Sequence, residues 1–97
     1  MNLIGLKETL EESKPYMEQT FHVKEIGIFG SSVKSSNTAK SDVDILIDFQ
    51  RGHKDFFNFM RLKYYLENLL GKKVDLVMKN AIKPILKKSI LSEVEYV

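Results

Sequence analysis

The stretch FGSSVKSSNTAKSDVDILIDF, residues 29–49, places two aspartates at the start of an otherwise apolar run. Asp is disfavoured in strands, so Asp42 and Asp44 are unexpected in a segment whose other residues predict a strand over 43–49. Because side chains alternate along a strand, both carboxylates point to one face, with α-carbons about 6.5–7 Å apart. Two carboxylates about 4 Å apart repel by roughly 4 kcal/mol at an effective dielectric of about 20, so the pair predicts a bound divalent cation.

The predicted cation site offers oxygen ligands and has no Cys or His nearby, which favours a hard ion: Mg²⁺, with Mn²⁺ as a substitute. A third acid, Asp75, lies in the apolar stretch KVDLV, residues 73–77. A helical crossover over residues 55–70 can set this strand parallel to the first and place Asp75 beside Asp44. Three acids on adjacent strands can hold two metal ions.

A phosphate-binding turn is predicted upstream, where Gly30, Ser31 and Ser32 directly follow a short β-forming segment. Such a turn offers backbone N–H groups and hydroxyls to phosphate oxygens. Taken alone, Gly-Ser-Ser is more often an ordinary strand-ending turn, and Asp-Val-Asp is as often a solvated strand entrance. The two motifs together are far harder to obtain by accident: Gly-Ser, ten intervening residues, Asp-x-Asp and a later lone Asp.

The segment GSSVKSSNTAKSDVD resembles the signature of the polymerase β-type nucleotidyltransferase superfamily. Together with IGIFGSS, SDVDILIDF, KKVDLV and KPILKKSILSEVEYV, it is similar in order and spacing to the minimal nucleotidyltransferase (MNT) family, the antitoxin half of HEPN/MNT toxin–antitoxin pairs. The resemblance implies that Gly30 and Ser31 contact a triphosphate. It also implies that Asp42 and Asp44 bind metal and that Asp75 is the third acid beside the attacking hydroxyl.

Two positions depart from the family pattern, because many members carry Arg and Gly where this chain has Lys34 and Ser35. Lysine keeps the positive charge but loses the planar fork that grips phosphate with two hydrogen bonds. We therefore place Lys34 with Gly30, Ser31 and Ser32 among the predicted nucleotide-binding residues, and expect Lys34 and Ser35 to affect triphosphate binding or rate.

Periodicity and stop signals predict an α/β fold (α+β by strict class), a small sheet with helices packed on it. The resemblance implies that this is the polymerase β-like fold, with a mostly mixed sheet and helices packed on one face. The predicted helices are 3–13, a short second helix beginning at Pro15, 55–70, and one from Pro84 to about Ser92; the predicted strands are 23–29, 43–49 and 72–78. The closing VEYV is left unassigned.

Length and composition predict one domain, residues 1–97, with 43% hydrophobic residues and one core. The net charge of +2 argues against strong electrostatic capture of nucleic acid, and the absence of Cys excludes a disulfide framework. No apolar run approaches the roughly 20 residues that span a bilayer, and the start lacks a secretion signal, so we expect a cytoplasmic protein. So small a chain is expected to form an oligomer or bind a partner protein.

The function implied by the resemblance is transfer of AMP from ATP to a hydroxyl, most plausibly a tyrosine, on a HEPN-type toxin. Two alternatives stay open: an antitoxin that acts by binding alone, and a nucleotidyltransferase acting on a small molecule or an RNA end. The size of the chain argues against the second alternative, which generally needs a further substrate-binding domain. Blander roles are expected for His22 and His53, at the surface, and for Asp48, as a solvated acid, whereas the aromatic excess in FFNFM, residues 56–60, suggests a partner surface.

Overall fold

Four strands and three α-helices make up the part of the chain that the structure, a computed structural model, describes: residues 2–33 and 42–97. In chain order they are α1 (Leu3–Phe21), β1 (Val23–Phe29), β2 (Val43–Phe49), α2 (Phe56–Leu70), β3 (Val74–Met78), α3 (Pro84–Glu93) and β4 (Glu95–Tyr96). Single 3₁₀ turns, Gly30–Ser32 and Lys79–Ala81, follow β1 and β3. The predicted strands over β1 and β2 have the observed bounds, and the third begins two residues later than predicted.

The sheet is mixed, with strand order β3-β2-β1-β4. Strand β2 is antiparallel to β1 and parallel to β3, to which it is joined through α2, as the crossover predicts. A register irregularity between Val23 and Glu25 lets Val23 and Ile26 both enter the core although they are three residues apart. Beyond it, Glu25, Gly27 and Phe29 lie on the other face of the sheet, which is also the face of Asp44.

The hydrophobic core lies between one face of this sheet and the helices α1 and α2. Its sixteen buried residues are Leu6, Leu10, Met17, Phe21, Val23, Ile26, Ile28, Val43, Ile45, Ile47, Phe49, Leu62, Leu66, Leu70, Val74 and Leu76. In α2 the buried leucines are four residues apart, the spacing that puts them on one side of a helix. Burial of one sheet face leaves the opposite face available for polar side chains.

Helix α1 continues through Pro15, so the predicted break into two helices is wrong. Proline removes one intrahelical hydrogen bond and costs about 3 kcal/mol or more in a helix interior. The residues after it, Met17 and Phe21, continue the buried stripe begun by Leu6 and Leu10. Burying each of these large side chains is worth about 1.5–3 kcal/mol, which offsets the proline.

Helix α2 has a capping residue at each end, Gly71 as its stop signal predicts and Asp55, which the predicted bounds 55–70 place inside the helix. The Asp55 carboxylate accepts a hydrogen bond from the Asn58 N–H at 2.8 Å, and Gly71 ends the helix in the left-handed conformation, with φ of 66°. At the other end of the crossover, the Val74 N–H donates to the Glu67 carboxylate at 3.0 Å. These contacts fix the register in which β3 meets β2.

The closing residues, unassigned from sequence, form β4 beside β1. Gly27 pairs with Tyr96, and the Val97 N–H donates to the Ile26 carbonyl at 2.9 Å. Lys79, after β3, lies over the Tyr96 ring at 5.6 Å and donates a hydrogen bond to the Glu25 carboxylate at 3.1 Å, which raises the pKa of the lysine. Contacts between residues distant in sequence therefore determine this edge of the sheet.

Helix α3 contributes no buried residue, and the side chains of Ile85 and Leu86 are exposed. At the start of α2, Phe56 and Phe57 are exposed as well, which agrees with the predicted aromatic excess at the surface. Within residues 2–33 and 42–97, no helix combines the length and apolar character needed to cross a membrane.

A buried amide joins α1 to the loop before α2. The Asn58 side chain is buried, and its Nδ2 donates to the Phe21 carbonyl at 2.7 Å and to the His53 carbonyl at 3.1 Å. The same contacts bring His22 and His53 together as stacked rings with centroids 3.7 Å apart. This pair lies at the end of β2 opposite Asp44.

Replacing Asn58 by Ala should lower the free energy of unfolding by about 1–3 kcal/mol, because two buried carbonyl groups lose their donors. Urea unfolding measures this loss. Asn68→Ala is the matched control: it is exposed in the same helix and should change stability by no more than about 0.5 kcal/mol. Equal effects of the two substitutions would contradict the structural role of Asn58.

Candidate active site

Two of the predicted acids are direct neighbours in the sheet. Asp44 on β2 pairs with Asp75 on β3 in parallel register, as the sequence predicts. The residues that follow them, Ile45 and Leu76, are buried in the core, so both carboxylates are on the opposite face. Asp75 is exposed and Asp44 is partly buried, and Asp42 is exposed immediately before β2. Asp44 and Asp75 thus form an acidic edge of the sheet, whereas Asp42 lies one residue before the start of β2.

Gly30 lies against the carboxylate of Asp44. A Cβ atom added to Gly30 would overlap Oδ2 of Asp44 and lie 3.0 Å from its Cγ. The φ of Gly30 is +67°, a left-handed conformation that residues with a side chain rarely adopt. Glycine is therefore required for two reasons, its backbone conformation and the space taken by Asp44.

Ser32 fixes the backbone of the same aspartate. Its side chain is buried, and its Oγ accepts a hydrogen bond from the Asp44 N–H at 3.3 Å. The structure thus places Ser32 under the acidic edge, with its hydroxyl engaged by the strand that carries Asp44. The Ser31 side chain, Lys34 and Ser35, also singled out from sequence, lie outside the described residues.

Glu93, at the end of α3, belongs to this site and was missed by the sequence reasoning. The Gly30 N–H donates to its Oε1 at 3.3 Å, across 63 positions of sequence. No local pattern near Glu93 indicates this contact, because it depends on β4 pairing with β1. The amide of Gly30, predicted to face a triphosphate, is engaged by a carboxylate in this structure.

The donor set suits a hard cation, since Asp44 and Asp75 supply oxygen atoms on adjacent strands. In residues 2–33 and 42–97 there is no group of three or more Asp, Glu or His side chains gathered closely enough to hold a metal ion. Magnesium in phosphoryl-transfer sites is commonly held by one or two carboxylates together with substrate phosphates. The observed pair fits that arrangement.

Asp48, on the same face of β2, is not the solvated acid that the sequence suggests. Its side chain is 15% exposed and pairs with Lys54, whose Nζ lies 3.5 Å from Oδ1. The loop before α2 folds back and brings Lys54 to it, which the alternation of β2 does not reveal. Asp48 therefore pairs with Lys54 and is not part of the acidic edge.

An apolar groove adjoins the acidic edge. It has a volume of about 420 Å³ and is lined by Phe56, Phe59, Leu76, Val77, Met78 and Ala81. Leu76 and Val77 follow Asp75 directly on β3, which is the outer strand of the sheet.

The mixed sheet carries aspartates on two adjacent parallel strands, and a Gly-Ser turn follows the antiparallel neighbour of one of them. This is the arrangement of polymerase β-like nucleotidyltransferases. A solved structure described as a candidate minimal nucleotidyltransferase superposes with a TM-score of 0.83 at 29% identity, over 98% of this chain and 95% of that one. The chain belongs to the nucleotidyltransferase domain family, whose model matches residues 10–97. The resemblance seen in the Gly-Ser and Asp-x-Asp motifs is confirmed.

Relatives in two archaea cover nearly the whole chain. A protein adenylyltransferase of Thermococcus cleftensis is 42% identical over 100% of this chain and 97% of its own length. A candidate protein adenylyltransferase of Methanocaldococcus jannaschii is 45% identical over 95% of this chain and 94% of its own length.

The fold is also that of MNT antitoxins in solved complexes. A toxin–antitoxin structure with AMP-PNP matches with a TM-score of 0.69 at 21% identity, over 99% of this chain and 72% of that one. A complex of tri-AMPylated Shewanella oneidensis HEPN toxin with its MNT antitoxin matches with a TM-score of 0.59 at 20% identity, over 98% and 67%.

Replacing Gly30 by Ala should impair nucleotide binding as well as stability, because the new methyl group displaces the Asp44 carboxylate. Gly71→Ala is the matched control: its φ is +66°, against +67° for Gly30, but a Cβ there meets no atom within 4 Å. Both variants should lose about 1 kcal/mol of stability from backbone strain. We expect ATP with Mg²⁺ to raise the melting temperature of the wild type and of Gly71→Ala but not of Gly30→Ala. Equal responses to the nucleotide would contradict the role assigned to the Gly30–Asp44 contact.

Proposed function

We propose that this protein transfers AMP from ATP to a hydroxyl, most plausibly a tyrosine, of a HEPN-type toxin and thereby acts as its antitoxin. The observation that carries the proposal is the register that sets Asp44 beside Asp75, with Gly30 packed on Asp44. Relatives that are named protein adenylyltransferases, and the fold shared with MNT antitoxins, support it. Residues 1–97 would act as one domain, in the cytoplasm.

The three aspartates are assigned to metal binding and to activation of the acceptor hydroxyl. Asp42, Asp44 and Asp75 would hold two Mg²⁺ ions, with Mn²⁺ as a substitute, together with phosphate oxygens of the nucleotide. The bound ions supply charge neutralisation and Lewis acidity to phosphoryl transfer. Asp75 is accessible to an acceptor, because it is exposed on the outer strand. There its carboxylate can accept the proton of the attacking hydroxyl.

The nucleotide is assigned to the turn after β1. Gly30, Ser31, Ser32 and Lys34 would form the triphosphate site, with Gly30 providing clearance for the Asp44 carboxylate. The buried hydroxyl of Ser32 supports the strand beneath it. Positioning of the triphosphate against the acceptor then supplies most of the catalysis, as is general for phosphoryl transfer.

A protein acceptor fits the surroundings of the site better than a small molecule. The groove that begins at Leu76 and Val77 is apolar and open, so it suits the surface of a folded partner that presents a side chain to Asp75. A phenol, with a pKa near about 10, is also easier to deprotonate than an aliphatic hydroxyl. The added AMP would block the RNA-binding site of a ribonuclease partner by charge and volume.

The alternative is an antitoxin that neutralises its partner by binding alone. The departures at Lys34 and Ser35 favour it, because a lysine holds phosphate with less geometric specificity than an arginine. In that case the acids would be dispensable for neutralisation. The two functions predict different masses for the partner.

Incubation of the protein with ATP, Mg²⁺ and the co-encoded HEPN-type protein should raise the intact mass of that partner by one or more AMP units. Asp44→Asn and Asp75→Asn should abolish the increase, because each removes a metal-binding carboxylate. Asp48→Asn is the control on the same face of β2 and should leave the transfer in place, since this acid is paired with Lys54. A partner whose mass never changes, although it binds tightly, would establish the binding-only antitoxin.

The metal is tested by thermal unfolding. Mg²⁺ or Mn²⁺ with ATP should raise the melting temperature, because a ligand that binds only the folded state stabilises it by about 2.7 kcal/mol at a hundred times its Kd. The double variant Asp42→Asn, Asp44→Asn should lose this rise. Without ligand it should be as stable as the wild type or slightly more so, because two like charges are removed. Unfolding of the double variant at ambient temperature would instead show that these acids are structural.

A further inference from the structure

We propose that Glu93 is a positioning residue of the site: its carboxylate holds the amide of Gly30 and so fixes the Gly-Ser turn against Asp44. The inference rests on the proposed function, because the positioned groups are those assigned to nucleotide and metal. Glu93 itself is not assigned to substrate or metal. Its role is to keep Gly30 in the one conformation that leaves room for the Asp44 carboxylate.

The contact supplies what the turn lacks locally. The 3₁₀ turn Gly30–Ser32 has no side-chain cap from Phe29, the residue before it. The Gly30 N–H is instead satisfied by Oε1 of Glu93 at 3.3 Å, a charge-assisted hydrogen bond to an acceptor from the far end of the chain. A φ of +67° at Gly30 is one of several conformations open to glycine, so an external contact is needed to select it.

The segment that carries Glu93 is itself held in place on β1. A Cβ on Gly27 would lie 2.5 Å from Cγ1 of Val94 and 3.3 Å from Cδ1 of Tyr96, so the missing side chain of Gly27 makes room for this segment. Glu95 pairs with Ile28 in the β1–β4 ladder. Glu93, the last residue of α3, is thus held in place by β4, which begins two residues later and is paired with β1.

Two glycines, one in β1 and one in the turn after it, therefore make room for the groups that form this site. Gly27 admits the closing segment, whose Glu93 binds the amide of Gly30, and Gly30 admits the carboxylate of Asp44. A shift of the turn would move the triphosphate site relative to the acidic edge. Misplacement of reacting groups by about 1 Å can reduce a rate by about 100-fold, even when the chemical groups are all present.

The test compares Glu93→Ala, which removes the acceptor, with Glu93→Gln, whose amide oxygen can still accept from Gly30. In AMP transfer to the HEPN-type partner, Glu93→Ala should reduce kcat by about 10- to 100-fold with little change in KM for the partner. Glu93→Gln should retain most of the rate. Glu95→Ala is the matched control, an exposed acid two residues away that pairs with Lys7 at 3.8 Å, and should behave as the wild type.

Three results would overturn the proposal. A Gln variant as slow as the Ala variant would mean that the charge of Glu93 matters and not its acceptor oxygen. A lower KM for ATP in Glu93→Ala, with kcat unchanged, would mean that the Glu93 carboxylate competes with the triphosphate. A fall in melting temperature with unchanged kcat would mean that the contact is structural only.

Hydrogen exchange of the Gly30 amide, followed by NMR without nucleotide or partner, tests the contact independently of activity. Exchange should be slow in the wild type and in Glu93→Gln and at least about 10-fold faster in Glu93→Ala, because the amide loses its acceptor. The Gly71 amide, which donates to the Glu67 carbonyl at 2.9 Å, is the internal reference and should be unchanged. Unchanged exchange at Gly30 would contradict the proposal, whereas a wild-type protein that never transfers AMP but shows this pattern contradicts the proposed function alone.

Discussion

The site depends on the close approach of the Gly30 backbone to the carboxylate of Asp44. The two elements involved, the turn after β1 and the start of β2, are joined by antiparallel pairing of Phe29 with Asp44. Only a residue without Cβ fits between them, and only glycine adopts its φ without strain. The buried Ser32 strengthens the arrangement by accepting the Asp44 N–H. Together these contacts bring a turn suited to phosphate next to an acid suited to metal.

The sheet can carry this acidic edge because its stability comes from the opposite face. Sixteen buried apolar residues from α1, α2 and three strands form the core there. Side-chain alternation then permits Asp44 and Asp75 to stand side by side on the other face without loss of core packing. The two like charges repel each other, and a cation bound between them would offset that repulsion.

The second face of the sheet is only partly covered, and this has consequences for partners. Helix α3 buries none of its residues, and Phe56 and Phe57 are exposed at the start of α2. The groove along β3 is lined by Phe56 and Phe59 of α2 together with Leu76, so it opens at the outer edge of the sheet next to α2. Apolar surface is thus exposed along β3 and at the start of α2, and exposed apolar surface of this kind is typical of contacts with a partner protein. Glu93, just before the closing strand β4, accepts a hydrogen bond from the Gly30 N–H in the turn after β1.

Local signals in the sequence were sufficient for much of the fold. The bounds of β1 and β2, the helix α2 with its stop at Gly71, and the neighbouring positions of Asp44 and Asp75 follow from periodicity, a glycine stop signal and the geometry of a parallel crossover. Each of these depends on interactions among residues close in sequence or on a rule of chain geometry. The Gly-Ser and Asp-x-Asp spacing also predicts that these residues form one site, and in the structure Gly30 lies against Asp44.

Tertiary structure alone decided the continuity of α1, the pairing of β4 and the presence of Glu93 at the site. Pro15 is a helix breaker by local propensity, and only the burial of Met17 and Phe21 in the core outweighs it. The closing residues have no strong strand signal, and β4 forms because the unpaired edge of β1 accepts it. Contacts such as that of Glu93 with Gly30 join residues 63 positions apart. Such contacts stabilise the protein only when the whole sheet has formed, so no short segment of the sequence indicates them.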